Sequence, residues 1–451
     1  VVVRRPMSRR PDDAAADADL DATLEEPVEA AEDAALEGDR PYTPGSARAA
    51  LAHRDFTIVW SGSLASNIGT WMQNIALGVF AYRLTHSAQF VALLGFAQLG
   101  PLLFLSPIGG VLADIVDRRR LLVAAQAEQM LFSFVLAFVA RGDHPSKAAV
   151  VAVVALVGVG NAMNAPAFAA VLPGLVSKRD LTGAVSLQSV QMNVSRVVGP
   201  AFGGLLLPVI GAPGVFALNG VTYLFAIGTL LAVRPPPIVA NDNAPKGWRR
   251  LVSGFAIARR DPLVARCLLA IASISFFCLP FIGLMPVLAG DNLGIDPNSA
   301  AYGWLYASFG LGAALGAVSV GTVLVHQPKP RMVRIGLALF GGFLLVFGLL
   351  RAAPPAYPVG FFVGLTYFTT VTSLSTHLQA HLDDAVRGRV MALWIMGFGG
   401  TVPLGLLLGG AIASRTSVTD VVVAGAAIAV VLSVLTDLRP TTRRAEAGTA
   451  A

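Results

Sequence analysis

The amino-acid sequence predicts an all-α integral membrane protein with twelve transmembrane helices in two pseudo-symmetric six-helix bundles. The first observation is the composition: 55% of the 451 residues are hydrophobic and 13% are charged, which is unusual for a soluble domain of this length. The second is a series of twelve apolar segments after residue 50, each long enough to cross a hydrocarbon core of about 30 Å as a helix. The third is an internal repeat that divides this series into halves.

Longer polar stretches stand at both ends of the series and in its middle. We predict a disordered acidic cytoplasmic tail over 1–50, a cytoplasmic linker over 235–262 and a cytoplasmic tail over 439–451. The two bundles then occupy 51–234 and 263–438. The predicted spans are about 54–82, 90–113, 121–140, 148–172, 187–209 and 214–233, followed by 263–288, 301–325, 333–350, 357–378, 390–413 and 418–435.

The positions of the basic residues support this order of spans. With both termini in the cytoplasm, 27 of the 33 Lys and Arg residues fall on the cytoplasmic side, five fall on the other side and Arg196 lies within a helix. Cytoplasmic loops of membrane proteins carry such an excess. Topology therefore explains the net charge of +6, and we expect no nucleic-acid partner.

A fixed offset of 206 residues relates the two halves of the chain. It aligns Asp55 with Asp261, and it aligns three glycines of the fifth predicted helix with three of the eleventh. Secondary transporters are often built from such repeats. The aligned glycines are Gly199, Gly203 and Gly204 in the first half and Gly405, Gly409 and Gly410 in the second.

The loop between the second and third predicted helices carries Gly110, Asp114, Asp117, Arg118 and Arg119. Gly-x-x-x-Asp followed by a basic cluster resembles the signature loop of the major facilitator superfamily of secondary transporters. The resemblance implies that Asp114 meets the positive N-terminus of the eleventh helix, and that this contact latches a cytoplasmic gate and favours the outward-open state. Alternatively, the arginines only fix the topology and Asp117 pairs with them. Asp117 departs from the superfamily pattern, which often has Gly there.

The fifth predicted helix carries a second motif. Its tail, Gly-Pro-x-x-Gly-Gly, resembles the antiporter motif of the superfamily's exporters, although the earlier glycines of that motif are absent. The resemblance implies export by exchange. Because Gly199 and Gly203 share one face of the helix, ordinary packing of small residues is the alternative. The motif residues are Asn193, Arg196, Gly199, Pro200, Gly203 and Gly204.

Two charged residues lie well inside predicted helices, Glu128 in the third and Arg196 in the fifth. A charge within the bilayer is costly and indicates a functional site by default. If proton exchange drives transport, Glu128 is the acid available to carry the proton. Because the third helix stands at the periphery in the superfamily, Glu128 is alternatively a structural partner of polar neighbours. Arg196 is expected to contact an anionic substrate or to balance a carboxylate.

Polar residues on the first and fourth predicted helices indicate a substrate cavity. Asn67, Trp71 and Asn74 share one face at i, i+4 and i+7, and Asn161 and Asn164 are three residues apart. These side chains would be poorly satisfied against lipid, so we expect them to point inward. They either contact the substrate, together with Asn193 and Arg196, or form hydrogen bonds between helices.

Short sequence segments narrow the resemblance to one branch of the superfamily. Gly69 to Gln73, Leu84 to Ser87 and Arg387 to Val390 resemble the bacterial drug and siderophore exporters, which include macrolide efflux pumps, enterobactin exporters and other transmembrane secretion effectors. The resemblance implies a monomeric protein of the bacterial inner membrane that exports an amphipathic drug or metabolite by alternating access, in exchange for protons.

Two other functions remain open from the sequence. One is a dedicated siderophore exporter, and the other is a membrane sensor or scaffold that does not transport. An enzyme is disfavoured because the chain carries no metal-ligand cluster, nucleophile motif or phosphate-binding loop. We therefore expect neither a cofactor nor a metal ion.

Overall fold

The computed structural model describes residues 42–233 and 248–438. Within these ranges the chain is helical and has no β-strand. Most of the predicted acidic tail, part of the linker and the C-terminal tail lie outside the described residues, so the structure does not bear on them.

The first half contains six helices, and side-chain caps set several of their boundaries. Ser146 accepts a hydrogen bond from Ala149 N at the start of one helix, and His86 adopts a left-handed conformation (φ 47°) at the end of another. The helices are α1 (Ala47–Ala52), α2 (Arg54–Thr85), α3 (Ala88–Ile115), α4 (Arg118–Val139), α5 (Lys147–Val171) and α6 (Leu181–Ala232).

Helix α6 contains both the fifth and the sixth predicted spans in one 52-residue helix. Its single non-helical residue is Gly211, with φ 67° and ψ 173°. Pro208 and Pro213 flank this glycine, and each removes a backbone donor from the helical ladder. The sequence therefore predicted the position of the break, but the predicted loop is longer than the single non-helical residue in the structure.

The second half contains ten helical pieces. The predicted span 263–288 is divided by a π-turn, Ile274–Cys278, and by Pro280 and Pro286. The helix of the predicted span 390–413 begins earlier, at Asp384, and contains the π-turn Met396–Gly400. The helices are α7 (Trp248–Arg260), α8 (Pro262–Ser273), α9 (Pro280–Gly283), α10 (Met285–Asp291), α11 (Ala300–Gly321), α12 (Lys329–Leu349), α13 (Ala353–His381), α14 (Asp384–Ile395), α15 (Thr401–Ala413) and α16 (Val418–Leu435).

Nine segments of the described chain are long and apolar enough to cross a membrane. One of them, Lys178–Ala232, is 55 residues long and includes the break at Gly211. Helices α2 and α13 are not among the nine, because Asn, Gln, Ser and Thr residues lower their hydropathy.

The helices of each half pack mainly with one another, and two helix pairs make most of the contact between the halves. In the first half α2 packs along α6 and α3 along α5; in the second half α13 packs along α11 and α12. The pair α6–α11 and the pair α3–α15 connect the halves. One large cluster of buried hydrophobic side chains extends across both.

Glycines permit close approach at both connecting pairs. Gly204 of α6 lies against Gly303 of α11, and a methyl group on either would overlap the other's Cα atom. Gly410 of α15 lies against Ala92 of α3. Since Gly204 and Gly410 are aligned by the 206-residue offset, the repeat places equivalent small residues at the two connections.

Two His–Asp pairs hold chain segments together near helix ends. His53 Nε2 lies 2.8 Å from Asp180 Oδ2, and His381 Nε2 lies 2.7 Å from Asp261 Oδ2. Asp261 also caps α8, because its Oδ1 accepts hydrogen bonds from Leu263 N and Val264 N. Partial burial opposes ionisation of Asp261, but the hydrogen bonds from His381 and from these N–H groups outweigh it and lower the pKa of this carboxyl below its usual value.

We expect Gly204→Ala to lower the free energy of unfolding by about 1–3 kcal/mol, because the added methyl forces α6 and α11 apart. The measurement is the thermal unfolding of the purified protein in detergent. Gly228→Ala is the control in the same helix, because nothing lies within 4 Å of the added atom. Equal melting temperatures for the two variants would contradict the close contact.

We expect Asp261→Asn to remove a stabilisation that depends on pH. The lowered pKa means that the ionised carboxylate stabilises the folded state above the ordinary carboxyl pKa of about 4, and that this contribution is lost as the pH falls through the folded-state pKa. The variant, whose amide still caps α8, should be less stable than the original protein at neutral pH. In acid the stabilities of the two proteins should become similar. Melting curves against pH test this, with the exposed Asp55→Asn as control; parallel curves for Asp261→Asn would refute it.

Candidate substrate cavity and its polar surroundings

A cavity of about 360 Å³ lies between the two halves. Helices α2, α3, α5 and α6 contribute residues from the first half, and α9, α10, α11 and α15 contribute residues from the second. The volume falls within the range of small-molecule sites. Four of the predicted cavity residues line it, namely Asn67, Trp71, Asn74 and Asn161.

The cavity wall is largely apolar, and the described residues that line it include no Asp, Glu, Lys or Arg. Its polar groups are amides and hydroxyls, and one pair is fixed by a 2.6 Å hydrogen bond from Gln98 Nε2 to Asn74 Oδ1. Such a wall suits an amphipathic molecule. Sequence reasoning missed several polar or aromatic members of the wall, which are Thr70, Gln98, Tyr302 and Tyr306.

Arg196 lies beside the cavity rather than in its wall. Its guanidinium carbon is 5.3 Å from the ring centre of Trp71 and 4.5 Å from that of Phe368 on α13. Its Nη1 donates a 3.4 Å hydrogen bond to Asn193 Oδ1. No carboxylate of the described residues forms an ion pair with Arg196, so the structure supplies no acid there for it to balance.

Asn164 contributes to contacts between helices instead of to the cavity wall. Its Oδ1 accepts a 3.4 Å hydrogen bond from Gln126 Nε2, and Gln126 Oε1 accepts a 3.3 Å bond from Ser66 Oγ. These bonds join α5, α4 and α2. Of the two interpretations of the polar residues, Asn164 therefore fits hydrogen bonding between helices.

A second buried network lies behind the wall of the first half. Asn219 Nδ2 donates to Gln73 Oε1 at 2.8 Å, and Tyr223 OH donates to Gln129 Oε1 at 3.2 Å. The Tyr223 hydroxyl is also 3.1 Å from Thr70 Oγ1, and Thr70 belongs to the cavity wall. The network therefore extends from the cavity into the bundle, and the i, i+4 spacing of Asn219 and Tyr223 was the sequence signal for it.

The Glu128 carboxyl group is buried between α4 and α5. Both of its oxygens are inaccessible to solvent and lack a hydrogen-bond partner among the described residues. The space that it occupies exists because residue 160 is Gly: a side chain there would overlap Oε2. Within the described part of the chain, the carboxyl group therefore has no cation as a partner.

The residues of the predicted gate loop have different surroundings. Gly110 and Asp114 belong to α3, but their side chains are outside what the structure describes. Asp117 caps α4, because its Oδ1 accepts a 2.8 Å hydrogen bond from Arg120 N. This bond comes from the backbone amide of Arg120 and not from an arginine side chain. Arg119 donates 2.7 Å hydrogen bonds to the carbonyls of Leu230 and Leu231, at the end of α6 in the same half. Arg118 is the first residue of α4.

The antiporter-like motif forms helix contacts. Gly199 lies against Trp71 and the carbonyl of Ile68 on α2, and Gly203 lies against Met72. Gly204 makes the connection to α11, and Pro200 is buried within α6. The motif thus holds α6 simultaneously against its own half and against the other.

Comparison with known proteins agrees with this architecture. The family model described as transmembrane secretion effector matches residues 45–450. Enterobactin exporter EntS of Shigella boydii serotype 4 is 28% identical over 401 residues, which are 86% of this chain and 93% of that protein. EntS of Escherichia coli O139:H28 matches with the same identity and coverage.

Solved structures of similar fold are transporters. A bacterial homologue of the human lysosomal transporter Spinster, inward-facing and occupied, matches with a TM-score of 0.68 at 15% identity, over 86% of this chain and 98% of that one. The nucleoside transporter NupG matches with a TM-score of 0.66 at 13% identity, over 84% and 98%. The chain therefore belongs to the transmembrane secretion effector family of the major facilitator superfamily, and it is a membrane transporter and not an enzyme.

Proposed function

We propose that this transporter exports an amphipathic small molecule across the bacterial inner membrane by alternating access, in exchange for protons. The observation that carries the proposal is the position of the cavity. Its wall is shared by both halves, which meet at the glycine contacts of α6–α11 and α3–α15. Rocking of one half against the other would expose such a cavity to each side of the membrane in turn.

The proposed topology has twelve crossings with both termini in the cytoplasm. Nine described segments meet the length and hydropathy criterion, and the longest of them breaks at Gly211 and would cross twice. Helices α2 and α13, at 32 and 29 residues, are long enough to cross as well. The total is then twelve, in bundles over 51–234 and 263–438, and the protein acts as a monomer.

Export rather than uptake is supported by the Gly-Pro-x-x-Gly-Gly sequence of α6 and by the relatives named as exporters. The cargo is a drug or a metabolite. A dedicated siderophore exporter is the second candidate, because two relatives named as enterobactin exporters match this chain over 93% of their own length.

Glu128 is the proposed proton carrier. A buried carboxyl group without a cation or a hydrogen-bond donor can keep a proton while it is enclosed, and it can release the proton when water reaches it. Movement between α4 and α5 would open this space. Asp114 is proposed to latch the cytoplasmic gate against the start of α14 in the outward-open state.

Transport in proteoliposomes tests the proposed function, with enterobactin and erythromycin as probes. An imposed pH gradient should drive accumulation of at least one probe, and an uncoupler should abolish it. Absence of gradient-driven flux for both probes, with no effect of Asp114→Asn on the proton leak, would favour the sensor or scaffold instead.

We expect Glu128→Gln to separate proton coupling from cargo movement. The variant should lose accumulation driven by the pH gradient by about tenfold or more, since it has no titratable group at this site. It should retain exchange of labelled for unlabelled cargo at equal pH. Asp143→Asn, in the loop that follows α4, is the matched control. Full gradient-driven accumulation by Glu128→Gln would assign Glu128 a structural role.

A further inference from the structure

Arg196 is a cation whose counter-charge the described protein does not provide. It lies 15 residues beyond the first residue of α6, well inside the bilayer if α6 crosses it. A charged group at that depth normally faces a partner or a water-filled space. Its one hydrogen bond to a described residue is to a neutral amide, that of Asn193, and Arg196 is only partly buried. The remaining N–H groups of the guanidinium are therefore available to an acceptor that is not part of the protein.

Two aromatic rings hold the guanidinium at the boundary of the halves. Trp71 comes from α2 in the first half and Phe368 from α13 in the second. A guanidinium that lies over an aromatic ring contacts it with its planar face. The N–H groups at the edge of the guanidinium then stay free to form hydrogen bonds in its plane. Carboxylate and phenolate groups match that edge, and a carboxylate can accept two parallel bonds from it.

The cavity next to Arg196 adds no charge of its own. Trp71 is common to the cavity wall and to the Arg196 site, and Met192, one turn before Arg196, also lines the cavity. The described residues of the wall include no acidic side chain, and Arg196 lies against Trp71, which belongs to that wall. Arg196 therefore contributes a positive potential to the adjoining cavity, and this contribution favours anions and disfavours ammonium groups.

We propose that Arg196 recognises an acidic group on the cargo, so that the exported molecules are aromatic or amphipathic anions and neutral molecules rather than cations. This inference rests on the proposed transport function and names its substrate class. The cargo's carboxylate or phenolate lies on the guanidinium edge, and its apolar part lies in the cavity between Trp71 and Tyr306. The anion replaces the missing counter-charge.

Three dansyl compounds of similar size test the charge preference directly. Dansylglycine is an anion, dansylamide is neutral and dansylcadaverine is a cation. Binding is measured by fluorescence on the purified full chain in nanodiscs. The original protein should bind dansylglycine about tenfold or more tightly than dansylcadaverine, which corresponds to about 1.4 kcal/mol.

Arg196 variants connect this preference to the guanidinium. Arg196→Gln should weaken dansylglycine binding by about tenfold and change dansylamide binding by less than about twofold. Arg196→Lys keeps the charge but loses the planar guanidinium. Its affinity for dansylglycine should therefore lie between those of the original protein and Arg196→Gln. Arg415→Gln, which removes the same charge in the loop before α16, should leave all three affinities unchanged. Melting temperatures identify variants that are misfolded.

The outcomes separate this inference from the proposed function. Tighter binding of dansylcadaverine, an equal loss of all three probes in folded Arg196→Gln, or no binding of dansylglycine up to millimolar concentration would each overturn the inference. Binding of dansylglycine that depends on Arg196, without flux of any probe in proteoliposomes, would uphold it and overturn export.

Discussion

The contact of helix backbones at small residues is the constraint on which this architecture depends. In a bilayer, apolar side chains gain little by leaving lipid, so helices associate through close packing. Gly204 against Gly303 and Gly410 against Ala92 bring the halves together without bulky side chains between them. Other contacts along the boundary, such as that of Tyr82 with Asp291, are fewer, and the cavity lies between the halves beside them.

The two halves satisfy their polar groups differently, although the repeat relates them. In the first half, side-chain hydrogen bonds join α2, α4, α5 and α6 through amides such as Gln73 and Asn219. In the described part of the second half, bonds between helices run more often from a side chain to a backbone carbonyl, as from Ser308 to Tyr357 and from Thr369 to Gly316. Directional bonds therefore join helices in both halves, between side chains in the first and more often from a side chain to the backbone in the second.

The sequence predicted the membrane fold and four residues that line the candidate cavity, for a simple physical reason. Span length is fixed by bilayer thickness, and helix periodicity places Asn67, Trp71 and Asn74 on one face, so these features follow from the order of residues alone. The roles of Asn164 and Arg119 did not follow, because their partners, Gln126 and the last carbonyls of α6, are distant in the chain. Tyr306 was missed because an aromatic residue in an apolar helix has no signature until its neighbours are known.

Both π-turns of the second half lie in helices that line or adjoin the cavity, and they contact each other. Thr401 Oγ1 donates to the carbonyl of Gly397 in one of them and to that of Ala272 next to the other. A π-turn holds one extra residue within a helix, and displacing it by one position exchanges hydrogen bonds without breaking the helix. Each displaced residue turns by about 100° relative to the rest. Displacement of a π-turn would therefore change the side chains that this half presents to the cavity while its helices stay intact.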